Sequence, residues 1–239
     1  MNIQTFIFNW RGQYQNTLQK IEQLRSLGIK PEIINSDDNH INLDWHNIGE
    51  HSYFTNQMLK ALELFDASKS DALFHIQADA SFDKWEDIYN SAEMYLDKYK
   101  WGIYAPNVDH TYHKAHRVDI DGFKIPEENL KLVSNTDCTC WIIHKDIINE
   151  VAKRNINFKP YKIGWGIDVT YSALSHMTKR PVLRDYRFTI DHPAGTNYSA
   201  AQGTQEQRAL HESLPDDIKL AFSYISSGDR NMLLQYYSK

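Results

Sequence analysis

The sequence has only two cysteines, Cys138 and Cys140, among its 239 residues. If the segment Cys-Thr-Cys lies on a strand, both thiols point to one face, which is not usual disulfide geometry. Two thiols without nearby partners also make a poor zinc site. The sequence therefore excludes a disulfide framework and predicts reduced, buried cysteines in a reducing compartment.

Long apolar runs and an excess of basic residues are also missing. No stretch approaches the ~18 apolar residues of a membrane span, and the N-terminal segment MNIQTFIFNWRG lacks the basic region of a signal peptide. The formal net charge of −5 argues against broad nucleic-acid binding, which needs a basic face. We therefore expect a cytoplasmic protein with no transmembrane segment and no nucleic-acid partner.

The glycine motifs that bind phosphates are absent as well. No GxGxxG follows the first predicted strand, so the Rossmann fingerprint is missing. No GxxxxGK[ST] occurs anywhere, which excludes a P-loop. If phosphates bind to this protein, a metal ion is expected to neutralise them in place of a glycine-rich loop.

Strand and helix patterns alternate along the first half of the chain. The predicted strands are IQTFIFN, KPEIINSDD, DALFHIQAD and WGIYAPNV. Apolar residues at helical spacing predict a helix in each of the three intervals between them. This βαβαβαβ order implies a largely parallel sheet that is covered by helices.

The second half is less regular. Periodicity fails over residues 109–135, which predicts loops and short strands. The segments that follow predict a strand at TDCTCWIIH, a short helix at KDIINEVAK, a longer helix ending at SALSHM, and a last core strand at RPVLRDYRFTIDHP. The tail from about residue 203 is predicted to be helical, with apolar positions at Leu210, Ile218, Phe222 and Ile225.

Polar residues follow three of the predicted strands at the points where the strands end. They are Asn9-Trp10-Arg11, Ser36-Asp37-Asp38 and Gln77-Ala78-Asp79. In an open α/β sheet, ligands bind beyond the carboxyl ends of the strands. One acidic strand end is common in loops, but several at one edge are better explained by a shared polar ligand. A carboxylate such as Asp79, at the end of a buried strand, is also costly unless it is paired.

The order of these strand ends, together with the later segments GWGID and DHP, resembles the GT-A-fold glycosyltransferases. The sequence is most similar to glycosyltransferase family 2, over about residues 1–195. The resemblance implies an α/β fold of the GT-A type, a Rossmann-like, mostly parallel central sheet flanked by helices, with a C-terminal helical extension. The expected division is a GT-A-like domain over 1–200, with a nucleotide-binding half at about 1–108 and an acceptor half at about 109–200, and the extension over 201–239.

The resemblance also implies a nucleotide site. In that family, a D-x-D triplet ends the strand that crosses the site, and its last Asp binds a divalent metal that holds the diphosphate. The triplet here is Gln77-Ala78-Asp79, so only Asp79 matches, and Gln77 can hydrogen-bond a ribose or a metal-bound water without adding charge. The other matching residues are Asp37 and Asp38 for the uracil or ribose, which favours UDP, with Asn9 and Arg11 beside the nucleotide. A solvated surface position is the alternative for Arg11.

His192 matches a position at which related enzymes place a metal-binding histidine. With Asp79 it is expected to share one divalent ion, and an imidazole beside carboxylate and diphosphate oxygens suits Mn²⁺ better than Mg²⁺. A structural role for His192 stays open, as does Asp191 as a ligand. The segment DHTYHKAH has a histidine at every third residue but no helical pattern, so we interpret it as a polar acceptor loop.

Asp168 in GWGID matches the segment that carries the family's catalytic base. A base there would take the proton of the acceptor hydroxyl as its oxygen attacks the anomeric carbon, opposite the leaving diphosphate. Trp165 and Gly166 are expected near the acceptor or sugar, because Gly-Trp-Gly suits a backbone close to a ligand. The alternative for Asp168 is a helix N-cap or first-turn acid.

The resemblance therefore implies a metal-dependent, inverting hexosyltransferase that moves a sugar from a nucleotide-sugar donor to a glycan or other hydroxyl acceptor. Two alternatives stay open. A non-catalytic carbohydrate- or nucleotide-binding module would keep the strand-end acids without needing Asp168. A sugar-phosphate nucleotidyltransferase would share the sheet, but NWRGQYQN is a poor match to its glycine-rich basic loop. The C-terminal helices could also mediate an oligomer contact.

Overall fold

A computed structural model describes residues 1–50, 52–194 and 199–238 of the protein. The strands are β1 (Ile3–Asn9), β2 (Glu32–Asn35), β3 (His46–Asn47), β4 (Ala72–Gln77), β5 (Ile103–Val108), β6 (Leu130–Leu132), β7 (Cys140–His144) and β8 (Val182–Ile190). The helices are α1 (Tyr14–Ser26), α2 (Phe54–Leu64), α3 (Trp85–Tyr99), α4 (Ala115–Val118), α5 (Lys145–Lys153), α6 (Ile167–Met177), α7 (Ala200–Ser213) and α8 (Asp216–Ser226), followed by a 3₁₀ helix, Arg230–Tyr236.

These strands form one sheet in the order β3-β2-β1-β4-β7-β5-β8-β6. Strands β1 to β5 and β8 run in one direction, whereas β6 and β7 run in the other. The predicted mostly parallel, helix-flanked α/β fold is confirmed, as is the C-terminal helical extension. The antiparallel insertion of β7 between β4 and β5 was not predicted, because a short apolar run does not reveal the direction of its strand.

Two short elements were also missed by the sequence patterns. Strand β3 has only two residues, too few to show an alternation of polar and apolar positions. Helix α4 has four residues and lies with β6 in the segment 109–135, which was predicted to contain loops and short strands.

The sheet has a hydrophobic cluster on each face, because successive side chains of a strand point to opposite sides. Phe6 and Phe8 of β1 belong to the cluster under α2, α5, α6 and α8, whereas Ile7 belongs to the cluster under α1 and α3. The predicted apolar positions of the tail are all buried and belong to the first cluster: Leu210, Ile218, Phe222 and Ile225. The C-terminal helices therefore extend the first hydrophobic cluster.

The two cysteines are free, as predicted, with Cys140 buried and Cys138 half-buried. Burial raises the pKa of both thiols, which keeps them protonated and inert at neutral pH. Within the described ranges, no helix is both long enough and apolar enough to cross a membrane.

Candidate functional site

The polar strand ends meet at one edge of the sheet, as the sequence predicts. In the parallel pairing of β1 with its neighbours, Asn9 lies opposite Asn35 of β2, and Phe8 lies opposite Gln77 of β4. All three strands therefore deliver their carboxyl-terminal residues to the same edge. This edge is where an open α/β sheet binds its ligands.

Asp79 and His192 lie side by side at this edge. A short antiparallel bridge between Ser81 and Asp191 fixes the segment after β4 against the end of β8. It brings Asp79 Oδ1 to 3.4 Å from His192 Nε2, with 15% of each side chain exposed. The backbone N–H of His192 donates to Asp109 Oδ1 at 2.9 Å, which fixes the histidine from the other side. The neighbouring Asp79 raises the pKa of His192, although burial opposes this shift.

This pair has the chemistry of a partial site for a divalent cation. Asp79 Oδ1 and His192 Nδ1 are buried and make no hydrogen bond. A carboxylate and an imidazole with unsatisfied atoms fit Mn²⁺, and the carboxylate fits Mg²⁺. Within the described residues, however, no group of three or more His, Cys, Asp and Glu side chains could hold a metal. Water or substrate oxygens would have to complete the coordination.

A buried lysine lies directly behind the Gln-Ala-Asp triplet. Lys20 Nζ donates to the carbonyl oxygen of Ala78 at 2.7 Å. Burial lowers the pKa of Lys20 to about 8, and the nearby Asp79 partly opposes this shift. We did not predict this residue. Its signal in the sequence is a lysine at helical spacing on the buried face of α1, with Thr17, Ile21 and Leu24.

Asp168 lies in the first turn of α6 and pairs with a histidine. The N-cap of that helix is Gly166, at φ 93°, and no side chain caps it, so the N-cap alternative for Asp168 is wrong. Asp168 is 8% exposed, and its Oδ2 lies 3.4 Å from His113 Nε2. On the other side of the ring, the amide Nδ2 of Asn135 lies 3.1 Å from His113 Nδ1.

The Asn135 contact determines which nitrogen of His113 carries the proton. An amide nitrogen can only donate, so Nδ1 accepts and the neutral imidazole carries its proton on Nε2, facing Asp168. Burial alone would lower the pKa of His113, but Asp168 and Asp137 outweigh it and raise this pKa. The predicted polar acceptor loop therefore contributes a partner for the candidate base.

Asp137 lies near both acid–imidazole pairs and was also missed. It is close enough to His113 and to His192 to raise the pKa of each. Its Oδ1 accepts from the backbone and the hydroxyl of Thr139, and its Oδ2 accepts from Thr111. Burial would raise the pKa of Asp137, but His113 and these hydrogen bonds hold it below its ordinary value. Asp137 therefore adds a negative charge close to both pairs.

The nucleotide residues expected on the first two strands divide into an inner and an outer set. Asn9 and Asp37 are buried. Asn9 Nδ2 donates to Asn35 Oδ1 at 2.6 Å, and Asp37 Oδ2 lies 2.8 Å from His40 Nδ1. Burial would raise the pKa of Asp37, but the hydrogen bonds from His40 and Asn39 lower it. The hydrogen bonds of these inner side chains hold the ends of β1 and β2 in place.

The outer set is exposed and shares one glutamate. Arg11 Nη1 lies 2.7 Å from Glu50 Oε1, and Asp38 Oδ2 accepts from the backbone N–H of Glu50 at 3.1 Å. Nearby, the rings of Tyr14 and His40 stack with their centroids 4.6 Å apart. Arg11 and Asp38 are therefore accessible polar groups at this part of the edge.

Trp165 and Gly166 lie under the C-terminal helices. A Cβ added to Gly203 of α7 would lie 2.5 Å from the ring of Trp165, so helix and indole are in close contact. A Cβ at Gly166 would lie 3.2 to 3.3 Å from side chains of α7 and α8. The segment that carries Asp168 is thus positioned by packing against α7.

Comparisons with known proteins identify the fold. No protein-family model and no curated protein matches the chain. The structure of S. aureus TarS residues 1–349 is similar, with a TM-score of 0.57 and 10% identity over 98% of this chain and 72% of that one. The longer S. aureus TarS structure also has a TM-score of 0.57, with 9% identity over 100% of this chain and 44% of that one.

A third structure, UDP-glucose pyrophosphorylase complexed with UDP-glucose, has a TM-score of 0.45 and 8% identity over 88% of this chain and 99% of that one. TarS is a GT-A glycosyltransferase, and at these identities the likeness shows the fold alone. The GT-A-like fold that the sequence predicts is confirmed.

Proposed function

We propose that this protein is a nucleotide-sugar glycosyltransferase of the family 2 type, with UDP as the favoured carrier and a hydroxyl group as the acceptor. One observation supports the proposal above others. The carboxyl edge of a GT-A-like sheet brings together two acid–imidazole pairs, Asp79 with His192 and Asp168 with His113, and Asp137 is close enough to act on both histidines. A sugar transfer needs one group that stabilises the charge of the leaving diphosphate and a second group that takes the proton of the attacking hydroxyl.

The Asp79 pair suits the donor side. Asp79 and His192 would hold a divalent metal, Mn²⁺ or Mg²⁺, which would offset the negative charge that develops on the leaving diphosphate. Lys20 adds a buried positive charge behind the triplet, where the first acid of the family motif is replaced by Gln77. Arg11 and Asp38 are accessible polar groups that would contact the phosphates and the nucleoside.

The Asp168 pair suits the acceptor side. The Asp168 carboxylate takes the proton of the acceptor hydroxyl while the hydroxyl oxygen bonds to the anomeric carbon. The bond from that carbon to the diphosphate oxygen breaks with its electron pair, and the nucleoside diphosphate leaves with the anomeric configuration inverted. His113 keeps its Nε2 proton toward Asp168, which orients the carboxylate.

Nucleotide binding tests the donor half of this proposal. In isothermal titration, UDP should bind, and Mn²⁺ should tighten its Kd by about tenfold or more, because Asp79 and His192 would hold a cation that offsets the charge of the diphosphate. GDP and dTDP, titrated in parallel, should bind more weakly than UDP. Absence of UDP binding both with and without Mn²⁺ would contradict the proposal.

A further inference from the structure

A cleft of about 830 Å³ adjoins the candidate base. It lies between the segment 112–118, which includes α4, the start of α6, and helices α7 and α8. His113 and Asn135 line it, and His113 is the partner of Asp168. An acceptor whose hydroxyl reaches Asp168 would therefore extend into this cleft.

Among the His, Lys, Arg, Asp and Glu residues that line the cleft, six are basic and one is acidic, although the whole chain has a formal net charge of −5. Arg117, Arg208 and Arg230 line it together with His113, His116 and His211. Glu212 is the single acidic residue of this lining. A concentration of positive charge in one cleft of an acidic protein indicates an anionic ligand.

The three arginines of the cleft make no salt bridge with a described carboxylate, although Asp119 lies near Arg230. Among the described residues, none of them lies within 4 Å of a carboxylate oxygen, whereas elsewhere four arginines do: Arg11, Arg154, Arg180 and Arg187. Arg117 lies over the ring of Tyr112, 4.4 Å from its centroid, and Arg230 donates to the backbone carbonyl of Asp119. No described carboxylate within 4 Å neutralises these charges, and guanidinium groups match carboxylates and phosphates well.

We propose that the acceptor carries an oxyanion, either a phosphate ester or a carboxylate, which binds to Arg117, Arg208 and Arg230 in this cleft. The inference rests on the proposed function. If Asp168 is the base of a sugar transfer, the molecule that binds in the adjoining cleft is the acceptor. The oxyanion would position a hydroxyl of the same molecule toward Asp168. A neutral glycan would leave the three arginines without a role in binding.

Three small probes test the charge requirement: glycerol 3-phosphate, glycerate and neutral glycerol. Each is titrated into protein that has been pre-incubated with UDP and Mn²⁺, so that the nucleotide occupies the donor site. At least one of the two anions should bind, glycerol should not, and the tighter anion identifies the group. The Arg208→Gln and Arg230→Gln variants should each weaken anion binding by about tenfold, the usual size of a lost charged hydrogen bond. Arg25→Gln should bind like wild type, because Arg25 is exposed on α1, outside the cleft.

Equal binding of glycerol and the anions would overturn the inference, as would anion affinity that is unchanged in an Arg208→Gln, Arg230→Gln double variant. Arg208 is exposed, so its single variant should keep the wild-type melting temperature and still report on the cleft. A failure of the proposed function would look different. UDP would not bind, whereas arginine-dependent anion binding would still support an oxyanion site in the cleft.

Discussion

Asp168→Asn should lower the rate constant of sugar transfer by about 10²–10⁴-fold, the usual contribution of a positioned general base. Asparagine keeps the size of the side chain and can still accept a hydrogen bond from His113, but it cannot take a proton. Folding and UDP affinity should change little, because Gly166 is the N-cap of α6 and Asp168 caps nothing. Single-turnover transfer, combined with UDP titration, measures both parts of this prediction.

His113→Gln is the matched control for Asp168→Asn. It removes the imidazole that orients Asp168 and leaves the carboxylate in place, so it should reduce turnover by less than Asp168→Asn does. If His113→Gln lost activity while Asp168→Asn kept it, the imidazole would be the base. If both variants transferred sugar at near wild-type rates, Asp168 would be only a first-turn acid of α6.

Asp79→Asn should remove the effect of Mn²⁺ on UDP binding. Loss of an outer-shell partner typically costs about 10–100-fold in metal affinity, and loss of a direct ligand should cost at least as much. UDP titrated in the presence of Mn²⁺ should therefore bind to the variant about as weakly as it binds to wild type without the metal. The buried Asp79 Oδ1, which makes no hydrogen bond, is the observation behind this expectation.

Asp83→Asn provides the control for Asp79→Asn. Asp83 is exposed in the same segment after β4, and its substitution should leave the response to Mn²⁺ unchanged. An Asp79→Asn protein that binds UDP with the full Mn²⁺ enhancement would contradict the assignment of Asp79 as a ligand. The Lys20 ammonium behind the triplet would then be the better candidate for holding the diphosphate.

The fold could be predicted well from the sequence because its signals are local. Helical periodicity marks the long helices, and the polar residues at the ends of β1, β2 and β4 share an edge because these strands are parallel. Local signals also place Asp168 at the start of a helix. The direction of β7 has no such signal, since it depends on which strands pair in space.

The missed parts of the site are contacts between residues far apart in the sequence. His113 lies in an aperiodic loop, and its pairing with Asp168 depends on how that loop packs on α6. Asp137 belongs to a stretch that was predicted as strand, but β7 begins only at Cys140 and Asp137 lies in the preceding turn. Lys20 shows only as a charged residue on a buried helical face, which does not identify its partner.

Proton NMR of nucleotide sugars incubated with the protein and Mn²⁺ tests the proposed reaction most directly, because slow hydrolysis reveals the donor without a known acceptor. A UDP-sugar should be hydrolysed in preference to GDP- and dTDP-sugars. The products should be UDP and a free sugar whose anomeric configuration, at its first appearance, is inverted. Formation of UMP and a sugar 1-phosphate, or no turnover of any nucleotide sugar by protein that binds UDP, would contradict a glycosyltransferase.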